Sequence, residues 1–220
     1  GPARPGREAL KCAAARAVDV ARRYSLSHLA FALPSGEDAV EFAAAVLEGA
    51  LIGDFADTRF KSQPGKRPPL KIDFVAAAED ATNKRALRDR LARVEVVCDA
   101  VNFTRQLVNA PSNVLYPETL AEEARSLVPK GGGKKAKASA SRGRVTCEVL
   151  DEKQLRKQGY NLIEAVGRGS QHPPRLIVVS WNPPRTKKGT PHIALLGKGI
   201  CFDTGGLSIK TGGSMHTMNG

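Results

Sequence analysis

Lys198, Asp203 and Lys210 lie in one glycine-rich segment, Gly197-Lys198-Gly199-Ile200-Cys201-Phe202-Asp203-Thr204-Gly205-Gly206-Leu207-Ser208-Ile209-Lys210. An aspartate oxygen is a common ligand for divalent metals. A lysine ligates only through its neutral amine, so Lys198 fits that role only where a metal or burial favours the neutral form. Lys210 then supplies a second cation, suited to a carbonyl oxygen on which negative charge develops. Gly199, Gly205 and Gly206 permit the tight turns that aim such groups at one spot. Two plainer readings stay open, a phosphate-binding glycine loop and an ordinary surface turn. The Gly-Lys-Gly order is not the GxxxxGK[ST] pattern of a P-loop.

These residues need elements to position them. The apolar run His192 to Leu196 reads as a buried strand, which places the segment at a strand exit, where α/β proteins put their chemistry. Upstream, Arg7 to Arg23 has apolar positions at helical spacing, including Leu10, Ala14, Val18 and Ala21. Ser27 to Leu33 reads as a strand, and Ser35 as the N-cap of a helix to about Leu51. Leu70 to Val75 alternates like a half-buried strand. Thr82 to Val108 is the longest helical stretch. It is charged at first, then apolar through Val94, Val97, Val101 and Leu107, which predicts a helix exposed between domains and then packed on the second. Glu118 to Val128 and Asp151 to Gln158 predict helices; Arg144 to Leu150 and Arg175 to Trp181 predict strands. This alternation implies an α/β class with a largely parallel sheet covered on both faces.

Composition narrows the classes. The chain has 220 residues, 41% hydrophobic and 5% aromatic, enough for a core without disulfides. Cys12, Cys98, Cys147 and Cys201 are scattered, which argues against a zinc finger or a secreted disulfide framework and for a reducing compartment. No apolar run approaches the length of a membrane span. The net charge of +12 suits nucleic acid or another polyanion, or simply a basic surface. Much of the excess is local, in the Gly/Ser/Ala-rich stretch 130–144. That stretch reads as a mobile basic insertion, without the interleaved aromatics that stack bases. His28, His172, His192 and His216 have no ligand-like spacing and read as structural or solvent-facing. Trp181 reads as packing.

Gly197 to Lys210, followed by Met215 and Met218, resembles the metal-binding stretch of the leucyl (cytosol) aminopeptidases, a family of two-metal exopeptidases. Phe103-Thr104-Arg105-Gln106-Leu107-Val108-Asn109-Ala110-Pro111-Ser112-Asn113 resembles the end of that family's interdomain helix. Val166-Gly167-Arg168-Gly169-Ser170 with Pro173-Pro174-Arg175-Leu176 is similar to its early catalytic-domain motif. The likeness is strong over about 81–220 and weaker over 1–80.

The resemblance implies a small N-terminal α/β domain joined by a long helix to a mixed-sheet α/β/α catalytic domain. The parts are 1–80 (N-terminal domain, partial), 81–112 (interdomain helix) and 113–220 (start of the catalytic domain). It implies Lys198 and Asp203 as metal ligands, Lys210 as the catalytic, carbonyl-polarising lysine, and Met218 in the pocket for the substrate's first side chain. It also implies two divalent ions per subunit, zinc or manganese with magnesium as a further option, and a bicarbonate in the complete site. Two such ions, roughly 3.5–4 Å apart, activate water and clamp the oxyanion. Peptide substrates, a homo-hexamer and a cytoplasmic location go with the family. Some positions depart from it: Asn219 stands where many relatives carry a basic residue, and Cys201 where Thr is frequent. The family's first strands are expected before Gly1, and its next metal-binding aspartate just after Gly220, with a later Asp/Glu pair and an arginine further on. Little activity is therefore expected of these residues alone. Two alternatives remain: a non-catalytic scaffold relative, and nucleic-acid binding, known for one bacterial member.

Overall fold

The structure, a computed structural model, describes residues 6–35, 38–76, 84–129, 143–185, 189–215 and 218. Nearly all of the basic stretch 130–144, His216 and Asn219 lie outside the described residues. The chain divides into two compact units, Gly1–Gln106 and Leu107–Gly220.

The first unit is built around a right-sized βαβ connection. Helix α1 (Arg7–Arg23) precedes strand β1 (His28–Ala32), helix α2 (Ala39–Gly53) and strand β2 (Lys71–Val75). The strands pair in parallel, His28 opposite Lys71 through Ala32 opposite Val75, with α2 as the crossover that parallel pairing requires. Ala14, Val18, Val46 and Ala50 form the buried core, with Leu29, Phe31, Ile72 and Phe74 packed against them. Gly49 and Gly53 let α1 and α2 approach closely: a side chain at Gly49 would overlap the Lys11 backbone, and one at Gly53 would meet Ala15. Helix α2 begins at Ala39 behind Asp38, so Ser35 lies too far upstream to cap it.

Helix α3 (Lys84–Asn109) differs from expectation in the face it buries. Val94 and Cys98 pack with Ala44 and Leu47 of α2, whereas Val97 and Val101 are exposed. The reason is helical phase. Val94 and Cys98, four apart, share one stripe with Leu91, and Val97 and Val101 lie on another. Polar contacts reinforce the packing: Arg90 pairs with Glu41 at 2.6 Å, Asn102 donates to Leu51 O, and Arg105 sits 4.1 Å over the Phe55 ring.

The second unit contains helix α4 (Pro117–Ser126), strand β3 (Arg144–Leu150), helix α5 (Glu152–Lys157), helix α6 (Asn161–Gly167), strand β4 (Leu176–Asn182) and the short helix α7 (Gly212–Met215). Pro117 opens α4, where the missing N–H costs nothing, and Thr119 Oγ1 accepts from Tyr116 N at 2.9 Å. Asp151 and Gln154 cap α5 reciprocally, at 2.8 and 2.9 Å. Leu155 is fully buried. Glu164 of α6, nearly buried, is gripped by Arg156 at 3.1 Å and Arg168 at 2.9 Å. This helix had no counterpart among the expected elements.

Two expectations fail here. Strands β3 and β4 are antiparallel, Arg144 opposite Asn182 through Leu150 opposite Leu176, so the two described pairings are one parallel and one antiparallel rather than largely parallel. A connection made of two short helices can return the chain in either direction, and length alone does not choose. His192 to Leu196 forms no strand, and Ile193, Leu195 and Leu196 are 88–95% exposed. A strand exists by virtue of its ladder partner, and no described residue pairs with this run. Trp181 on β4 is 62% exposed, with its indole lying against Gly143. No helix among the described residues is long and apolar enough to cross a membrane.

Candidate metal and carbonyl-activating site

Without a strand beneath it, the glycine-rich segment is positioned by its own turn and by an apolar seat. Gly199, Ile200 and Cys201 face Leu107, Val108, Ala110, Leu115 and Leu120 across a pocket of about 120 Å³. A side chain at Gly199 would come within 3.3 Å of Leu120 Cδ2, so glycine lets the backbone lie close to α4. The apolar seat explains why Ile200 and Cys201 are partly buried while residues 189–199 before them are exposed. Burial also pushes the Cys201 thiol pKa up, which makes it a packing group rather than a thiolate nucleophile.

Beyond Cys201 the chain doubles back. Asp203 Oδ1 accepts from Gly205 N–H at 2.9 Å, an Asx-type turn, and Gly205 adopts φ +89°. Lys210 N–H donates to Thr204 O at 2.9 Å and closes the loop. Lys210 Nζ consequently reaches Asp203 Oδ2 at 2.5 Å and Asp203 O at 3.3 Å. The Lys210 hydrogen bond, helped by the Gly205 N–H and the positive charges of Lys210 and Lys198, holds the Asp203 carboxyl below the usual carboxylate range.

The structure thus joins Asp203 and Lys210 directly. Lys198 is exposed and acts on Asp203 through space. Met218 is half-buried, its N–H donating to Met215 O at 3.2 Å, and no described contact ties it to the other three. The backbone of Thr204 and the seat residues Leu115 and Leu120 went unnoticed in the sequence. The Asp-x-Gly order was a legible signal for the turn; nothing local marks Leu115 and Leu120 as neighbours of Gly199.

The donor chemistry fits one corner of a divalent-metal centre. Asp203 is a half-exposed, ionised carboxylate that already holds a cation, the Lys210 ammonium, and Lys198 is an amine nearby in sequence. No group of three His, Cys, Asp or Glu side chains able to hold a metal occurs among the described residues. Any further ligands lie elsewhere.

Residues 102–220, more than half of the chain, match the model of the cytosol aminopeptidase family's catalytic domain. The chain belongs to the cytosol aminopeptidase family. It is 35% identical to a probable cytosol aminopeptidase of Solibacter usitatus over 92% of this chain and 38% of that protein. It is 33% identical to one of Aquifex aeolicus over 97% of this chain and 39% of that protein. Among solved structures, the bottromycin maturation enzyme BotP in complex with Mn is similar at a TM-score of 0.71 and 30% identity, covering 98% of this chain and 41% of that one. A mutant of tomato leucine aminopeptidase is similar at a TM-score of 0.72 and 27% identity, covering 94% and 39%. The chain therefore spans about two fifths of the length of these cytosol aminopeptidase relatives. The mixed α/β architecture is that of the family.

Proposed function

We propose that the chain carries part of the active site of a metal-dependent aminopeptidase that releases N-terminal residues, leucine among them, from peptides. The observation that supports this most is the Asp203–Lys210 contact, formed inside the region that matches the family's catalytic domain. In this reading Asp203 gives a carboxylate oxygen, and Lys198 a neutral amine, to a pair of divalent ions, zinc, manganese or magnesium. When bound, such ions supply Lewis acidity and an acidified water.

The chain's own residues do the rest. The Gly205 turn orients the Asp203 carboxylate. Lys210 presents its ammonium to the scissile carbonyl oxygen and stabilises the charge that develops there, an interaction stronger in the transition state than in the ground state. Met218 lines the pocket for the first side chain. The N-terminal domain is assigned to 1–80, the linking helix to 81–112 and the start of the catalytic domain to 113–220. A hexameric, cytoplasmic parent with bicarbonate in its complete site follows the family. Alone, these residues hydrolyse little, because the described set contributes a single carboxylate to the centre.

The test uses the full-length protein. Lys210→Ala lowers kcat on leucine-p-nitroanilide by about 10²–10³, the scale of a lost oxyanion donor, while metal content is retained. Asp203→Ala lowers the metal stoichiometry. Unchanged turnover in the first variant refutes the electrophile role, and two retained ions in the second refute the ligand role.

A further inference from the structure

Both oxygens of Asp203 are occupied. Oδ1 takes the Gly205 N–H at 2.9 Å, and Oδ2 takes the Lys210 ammonium at 2.5 Å. A carboxylate ligand approaches a divalent ion such as zinc at roughly 2.0–2.2 Å. An ion at that distance and an ammonium in contact with the same oxygen repel one another, and Lys198 adds a further positive charge to the neighbourhood. The two positive charges therefore compete for Oδ2, and an ion bound there weakens the hold of the ammonium.

The two attachments of Lys210 differ in kind. Its backbone is fixed, because its N–H closes the turn on Thr204 O. Among the described residues its ammonium makes its polar contacts to Asp203, and the pair lies at a partly open surface, with 26% of the Lys210 and 47% of the Asp203 side chain exposed. The flexible four-carbon stem can therefore swing away while the turn stays closed.

We propose that Lys210 is a placeholder cation: it occupies Asp203 in the metal-free chain, keeps the carboxylate oriented, and is displaced by the incoming ion. Metal loading and release of the Lys210 ammonium toward the substrate are then one event, so the electrophile is freed only in a site that holds metal. This deepens the functional reading above and rests on its assignment of Asp203 as a ligand.

The experiment titrates zinc into the metal-free full-length protein, with calorimetry for affinity and ¹⁵N-lysine NMR for the Lys210 ammonium. In the metal-free chain Lys210 gives a hydrogen-bonded signal that is missing in Asp203→Asn. Zinc moves this signal to the position of a free ammonium. Lys210→Met and Lys210→Gln bind zinc roughly two- to fivefold more tightly than the parent chain, the size of a part-exposed ion pair. The placeholder role is overturned if zinc binds without moving the Lys210 signal, if neither variant binds more tightly, or if zinc binds none of the three. Asp203→Asn separates the two levels. Loss of zinc binding in Asp203→Asn, together with a Lys210 signal that zinc does not move in the parent chain, leaves the ligand reading standing and removes the placeholder. Zinc binding equal to the parent chain removes the ligand reading itself.

Discussion

Replacing Gly205 by alanine tests whether one turn assembles the site. Gly205 has φ +89°, and a β-carbon there would overlap the Ser208 carbonyl oxygen and lie 3.1 Å from both Lys210 N and Lys210 Cγ. A left-handed backbone conformation costs an L-residue about 1–2 kcal/mol. That cost alone shifts the balance between closed and open turn by a factor of roughly 5–30. The overlap adds to it, because the opposing atom is backbone and no rotamer change relieves it. Gly206 supplies the control. It has φ +62° with no atom within 4 Å of a built β-carbon, so Gly206→Ala bears the conformational cost without the overlap. Zinc calorimetry and ¹⁵N-lysine NMR read the outcome. Gly205→Ala loses the hydrogen-bonded Lys210 signal and weakens zinc binding by more than roughly 5–30-fold, whereas Gly206→Ala falls short of that. Far-UV circular dichroism and the melting temperature stay close to the parent chain in both, since the residues of the loop from 203 to 210 contribute nothing to the buried core. Parent-like affinity and Lys210 signal in Gly205→Ala, or equal damage in Gly206→Ala, would refute the idea that this turn sets the geometry.

Two further predictions concern the scaffold. Burial pushes the Asp54 carboxyl upward, but hydrogen bonds from Arg22 and Arg67 outweigh it and hold the group below its ordinary value of 3.8. A depressed folded value means that its contribution is complete above 3.8 and is lost as pH falls through the folded value. The melting temperature therefore drops on acidification below about pH 4, and Asp54→Asn shows a flatter profile there. At neutral pH Asp54→Asn is destabilised by about 1–2 kcal/mol, discounted for the partial exposure of the pair, and an unchanged melting temperature would contradict the role of the network. Leu155→Ala empties a fully buried site on α5 and costs about 2–5 kcal/mol by urea unfolding; a cost under about 1 kcal/mol would show that the site collapses freely.

Much of the molecule was legible in sequence because its signals are local. Helix α1 was expected at Arg7 to Arg23 and occurs there, since the apolar spacing and the flanking glycine and turn residues both act within a few residues. Strand β3 was likewise expected at Arg144 to Leu150, and the Asp151 capping box marks the start of α5 by chemistry three residues long. The identities of Lys198, Asp203 and Lys210 and the glycines between them pointed to the candidate site, and the Asp-x-Gly order encodes its turn.

Other features needed the third dimension. Whether β3 and β4 run parallel or antiparallel depends on how a connection of two helices folds back, and the apolar pattern of each strand is the same either way. His192 to Leu196 has strand composition, but a strand is completed by backbone partners from a distant part of a chain, and composition cannot supply them. The buried stripe of α3 was decided by which face met α2, although several apolar stripes were available. At the site, sequence named Asp203 and Lys210 as chemically apt groups. Only the folded turn, closed by Gly205 and Thr204 and seated on Leu115 and Leu120, puts the ammonium of one on the carboxylate of the other. Residue type determines what a group can do; contact over several residues of chain, which depends on the whole turn closing, determines what it is doing.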